Sequence, residues 1–206
     1  MKRIIIAALV TLCSLAGFTL DQGSCKDSRD GKVYATVKIG SQTWMAQNLE
    51  YRTKTGTRAW GDDMNNVKKY GYLYDWAAAR ESCPKGWHLP GDAEWKALEL
   101  HLGMSPDEFD KSRKRAEGLG LKLKSATGWY ENGNGNNGSG FNALPGGACL
   151  FYDNSYHFLG ELAYFWTSTA EGNQDAYARV FRYDETYAER SLFAKSNGLS
   201  VRCVKD

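Results

Sequence analysis

The stretch CPKGWHLPGDAEWKAL (83–98) decides how the chain is read. Pro84 lacks the amide donor that a continuing helix requires, so the Ala-rich run before it, YLYDWAAARES (72–82), reads as a helix closing at Cys83. Gly86 and Pro90-Gly91 punctuate the middle of the stretch. A second helix is expected over 92–102, with Asp92 able to cap it. Trp95, Leu98 and Leu102 then fall at i, i+3 and i+7 on one face, which faces the core.

Working outward, VYATVKI (33–39) alternates and is rich in β-branched residues. It reads as a strand, and after the Gly40-Ser41 turn residues 42–49 read as its returning partner in a hairpin. Residues 21–32 read as a polar loop, and 50–71 as a long Gly-containing loop. Downstream, 106–116 looks like a third, highly charged helix, and 118–124 alternates weakly. Residues 131–147 interleave Asn and Gly, two residue types that favour turns and left-handed backbone, so no regular element is expected there. Short β-like runs follow at 148–152, 156–159, 164–169, 176–183 and 199–204. No internal repeat appears and no linker divides the chain. The predicted class is α+β: an N-terminal hairpin, two or three helices, a long loop, then an antiparallel β-meander.

The chain has 206 residues, 42% hydrophobic and 24% charged, which is globular composition. With 26 basic and 24 acidic residues, nothing favours a nucleic-acid partner. Lys2-Arg3 followed by the apolar run 4–12 has the pattern of a secretory signal, and Ser14-Leu15-Ala16 suits a cleavage site. The expected organisation is a signal peptide over 1–16, a short connecting segment over 17–26, and one domain over 27–206, with no membrane span in the mature chain. Export places the protein in the periplasm, at the cell surface or in the medium. It also favours disulfides among Cys25, Cys83, Cys149 and Cys203, for which three connectivities exist. A lipid anchor at Cys25 is weighed against this. Ser24 suits such a site, but Gly23 and Gln22 are poor matches.

Several strings stand together in order: DSRDGKVYATVKIGSQTWMAQNLEY (27–51), KKYGYLYDWAAA (68–79), CPKGWHLPGDAEWKAL (83–98), GFNALPGG (140–147), FWTST (165–169) and GLSVRCVKD (198–206). Their order and spacing resemble the Fibrobacter succinogenes major paralogous domain family. The resemblance spans nearly all of the chain after its leader. It implies a C-type lectin-like fold and an exported or surface domain, without implying an enzyme. It also implies a bond from Cys83 to Cys203, because the lectin-like fold joins the end of its first helix to its last strand. Such a bond would enclose about 120 residues, and a loop of order 100 residues is worth up to ~4.7 kcal/mol. Cys25 and Cys149 remain as a second pair or as separate thiols.

The chemistry-bearing residues point to recognition. His88, His101 and His157 have no second His or Cys at ligand spacing, so no metal site is expected. The calcium-binding strings of sugar-binding lectins are absent, and the 131–147 loop has a single carboxylate, Glu131. No nucleophile elbow and no phosphate-cradling loop appears, and nothing calls for a cofactor. What remains is an Asn/Gly loop flanked by aromatics. Trp129, Tyr130, Asn132, Asn134 and Tyr152 are the candidate ligand contacts: aromatic faces stack on sugars, and Asn offers paired donors and acceptors. The competing reading has the same aromatics pinning the loop to the core. The functional expectation is a non-catalytic binding module for polysaccharide or a surface protein. A secreted enzyme, or a structural component of an outer-surface assembly, is the alternative.

Overall fold

The alternating run at Val33–Ile39 forms a strand and turns back at Gly40, and the chain is built outward from that hairpin. The computed structural model describes residues 20–150 and 155–206. The leader, including Cys13 and the 1–16 signal reading, and Tyr152 lie outside the described residues. The first elements are β1 (Gln22–Lys26), β2 (Val33–Ile39), β3 (Gln42–Met45), β4 (Thr57–Arg58), α1 (Met64–Tyr70), β5 (Leu73–Tyr74), α2 (Trp76–Ser82), β6 (Trp87–His88) and α3 (Asp92–His101). They are followed by β7 (Arg113–Arg115), α4 (Leu119–Leu123), β8 (Gly146–Leu150), β9 (Ser155–Leu159), β10 (Leu162–Glu171), β11 (Asp175–Arg182), β12 (Ala188–Ala194) and β13 (Val204–Lys205).

The strands make three sheets. One has the order β1-β2-β3-β13-β6, a second β7-β12-β11-β10-β8-β9, and β4 pairs with β5. Within the second sheet β10, β11 and β12 run as an antiparallel meander, with β12 outside the runs expected from the sequence, while β8 joins β10 in parallel. Thirteen strands against four short α-helices make the described chain β-rich. This overturns the α+β, C-type lectin-like expectation. Among the described residues no helix is long and apolar enough to cross a membrane.

The errors have physical causes. The charged segment 106–116 is a 3-10 turn at Pro106–Glu108 followed by β7. Pairing with β12 and burial of Arg115 against Glu99 override its local helix preference. Residues 21–26 were expected in a loop, yet Gln22–Lys26 pairs along β2 in full register. Within 50–71, α1 starts at Asp63, whose carboxylate accepts the Asn65 amide, and stops at Gly71. Residues 72–82 split, because Leu73–Tyr74 joins β4 and the helix begins only after the Asp75 cap. The weak alternation at 118–124 is the short helix α4. Gly91, not Asp92, is the N-cap of α3. Asp92 is instead buried, in ion pairs with Arg179 at 2.8 Å and Arg190 at 2.9 Å. Burial pushes its carboxyl up, but those two guanidiniums outweigh it and hold the group well below the usual carboxylate range.

Two apolar clusters fill the interior. In one, Trp44, Trp95, Phe141, Phe165 and Phe181 stack with ring centroids 4.9–6.1 Å apart. In the other, Tyr34, Met45, Tyr74, Trp166 and Val201 surround Cys203. Cys203 is bonded to Cys83, with Cα atoms 5.9 Å apart, as the resemblance implied. The second pair does not form: Cys25 and Cys149 are both buried thiols outside any disulfide. Cys25 sits in β1 with its side chain in the core, which opposes the lipid-anchor reading.

Candidate functional site

The Asn/Gly loop is tied down rather than displayed. Its amides at Gly135, Asn136 and Ser139 donate to the carbonyls of Ser125, Leu121 and Lys122, alongside α4. The buried Lys124 ammonium donates to the carbonyls of Gly133, Arg182 and Glu185. Gly133 is required here, because a Cβ would lie 2.1 Å from the Tyr183 carbonyl oxygen.

Trp129 is only 5% exposed, its indole N–H donating to Ser125 Oγ at 2.9 Å and its ring under the Lys124 ammonium. It pins the loop to the core and cannot present a face to a sugar. Tyr130 is exposed and packs edge-on against Tyr183, and Asn132 is exposed. Asn134 is half-buried, accepting the Trp129 amide. Tyr130 and Asn132 thus share a surface that Trp129 and Asn134 only support.

A better-formed cleft lies where sequence reading expected only the loop 50–71. Two cavities of about 210 and 290 Å³ flank β4. Thr57 and Arg58 line both, Cys149 lines the smaller, and Arg52, Asp62 and Met64 line the larger. Trp60, half-buried, stands in the 3-10 turn that follows β4. Its indole lies 5.8 Å from the ring of Tyr156 on β9, and its N–H reaches the His157 carbonyl at 3.3 Å.

The β8–β9 hairpin makes this approach sterically feasible. Gly147 has φ +64°, and a Cβ there would stand 2.8 Å from the Trp60 indole nitrogen. Opposite Cys149 on the same hairpin, Tyr156 donates its hydroxyl to Asp62 at 2.7 Å. Burial, then that bond to Asp62, push the Tyr156 phenol up to about 12, so it stays protonated and keeps donating. Arg58 places a guanidinium N–H 3.7 Å from Cys149 Sγ, which holds its cation on the wall shared by the two cavities.

The result is an aromatic pair beside a groove lined by Arg52, Arg58, Asp62 and Asp75, with a neutral phenol next to it. Such a surface offers aromatic faces for stacking and polar groups for hydrogen bonding. Cys149 is 3% exposed and packs in a β-bridge with Gly198, so its thiol belongs to the cavity floor. Among the described residues no group of His, Cys, Asp and Glu gathers that could hold a metal. One signal of this site stood in the sequence: Trp60 is a lone tryptophan in an otherwise polar run. Its partner Tyr156 is 96 residues away, beyond the reach of any local pattern.

The family model described as Fibrobacter succinogenes major domain matches residues 37–205. Neither a curated protein nor a solved structure matches the chain.

Proposed function

The chain belongs to the Fibrobacter succinogenes major domain family, and on that premise we propose that it is an exported, non-catalytic module that binds carbohydrate in the cleft beside Trp60. The observation that carries this reading is the Trp60–Tyr156 pair at the rim of a polar groove. Export is supported by the Lys2-Arg3 leader pattern and by a disulfide that would be reduced in most cytosols. The exposed Tyr130 and Asn132 form a secondary surface for the same class of ligand.

A glycan array with the full chain tests the reading, with Trp60→Ala and Trp129→Ala compared side by side. Trp60→Ala is expected to weaken oligosaccharide binding about tenfold or more while the melting temperature changes little. Trp129→Ala is expected to do the reverse, since emptying a buried tryptophan site costs about 3–5 kcal/mol. Glycan binding that survives Trp60→Ala unchanged would remove the cleft from consideration.

A further inference from the structure

Resting on the cleft beside Trp60 as a carbohydrate site, we propose that it captures the end of a glycan chain: the terminal sugar enters the smaller cavity beside β4, and the sugar next to it lies across β4 toward Trp60. That cavity holds about 210 Å³ and is the more enclosed of the two. A drug-sized site has roughly 300–1,000 Å³, so this one has room for little more than a single ring. Its floor is backbone tied to backbone. Cys149 and Gly198 exchange both amide hydrogen bonds, at 2.9 and 2.8 Å, and Tyr74 and Leu199 do the same, at 2.8 and 2.9 Å. A Cβ at Gly198 would stand 3.2 Å from the Cys149 Cβ and 3.3 Å from the Leu73 Cβ, so no gap is left between these walls. A chain entering past the exposed Arg58 and Ser196 therefore meets a closed end. A sugar linked on both sides is kept out, and a terminal one is admitted. The polar lining fits the same reading. Arg58 and Asp75 bring opposite charges to the cavity, and Thr57 and Ser196 add hydroxyls. Asp75 uses one carboxylate oxygen on the Ala78 amide, at 2.8 Å, and the other has no partner among the described residues. A terminal sugar carries a free hydroxyl where an internal one carries a linkage, and an enclosed set of donors and acceptors reads that difference.

The test titrates the full chain by calorimetry with xylohexaose, cellohexaose and maltoheptaose, each beside the long polymer of the same sugar at equal mass: xylan, hydroxyethyl cellulose and amylose. The polymers have far fewer ends per gram. Whichever sugar binds, the short chain is expected to bind at least about tenfold better than its polymer by mass. β-Cyclodextrin, a ring of the same glucoses as maltoheptaose without ends, is expected not to bind. Ser196→Trp sets an indole in the mouth of the cavity. It should weaken short-chain binding about tenfold or more with the melting temperature unchanged, and Ser196→Ala should retain most of the parent affinity. Polymer binding that equals short-chain binding by mass, cyclodextrin that matches maltoheptaose, or short-chain binding that survives Ser196→Trp each overturns end capture. Where that binding still depends on Trp60, the carbohydrate reading stands. Absence of binding by every probe overturns both.

Discussion

Arg202 is fully buried, and among the described residues no carboxylate pairs with it. Its guanidinium donates to Asn48 Oδ1 at 2.8 Å, to the Met45 carbonyl at 3.1 Å, to the Asn142 carbonyl at 2.8 Å and to the Phe141 carbonyl. Its flat face lies 4.5 Å from the Phe141 ring centroid. Asn48 in turn donates to the Tyr70 carbonyl at 2.7 Å, so one cation fastens β3, the end of α1 and the Asn/Gly loop to the last segment of the chain. A buried charge is tolerated only when its hydrogen-bonding capacity is used, and here carbonyl dipoles take the place of a counter-ion. Arg202→Met would strand several acceptors, each costing about 1–3 kcal/mol when buried without a partner. The expected loss is at least about 3 kcal/mol in urea denaturation. Arg202→Lys should recover little of it, because an ammonium lacks the planar fork that reaches three separated carbonyls. A lysine variant as stable as the parent would show that charge alone, not the fork, holds this junction.

At the scale of elements, His88 joins three of them. It pairs with Val204 across β6 and β13, and its ring contacts Asp206 at 2.6 Å and Glu94 of α3 at 2.7 Å. Burial pulls its pKa down, but hydrogen bonds to Asp206 and then Glu94 outweigh this and raise it above the ordinary value. A raised pKa stabilises the fold fully below the unfolded value, about pH 6.5, and the contribution fades as pH rises through the folded value. The side chain is 42% exposed, so screening holds the effect below about 1 kcal/mol. His88→Gln should therefore narrow the gap in urea midpoint between about pH 6 and pH 8. An unchanged gap would place the pH dependence elsewhere. The elements themselves were unequally legible. β2 and α3 announce themselves because a full alternation or a full helical face lies within one window. β4, β5, β6 and β13 have two residues each and owe their existence to partners far along the chain, so no period marks them. β12 escaped because its apolar residues do not alternate cleanly, as its mixed burial shows. The groove suffered the same fate, since β4, the Trp60 turn and β9 meet only in space.

Over the whole molecule, the Cys83–Cys203 bond joins the end of α2 to the segment entering β13, across 120 residues. β13 lies inside the first sheet between β3 and β6, so freeing it would open that sheet at an interior position. Closing a loop of order 100 residues is worth up to about 4.7 kcal/mol through the unfolded chain. For a domain of this size that corresponds to a fall of order 10 °C in melting temperature. The double variant Cys83→Ser, Cys203→Ser should melt lower by that order, and the parent should follow it when reduced. Cys25 and Cys149 are buried and outside any disulfide, so reductant should not lower the variant further. The groove provides an internal comparison. Its walls come from β4, the Trp60 turn and the β8–β9 hairpin, none of which carries either bonded cysteine. Below its own melting temperature the double variant should hold oligosaccharide with nearly the parent affinity. A matching loss of affinity and stability would instead mean that the first sheet and the groove are one cooperative unit, with the disulfide holding the site in shape.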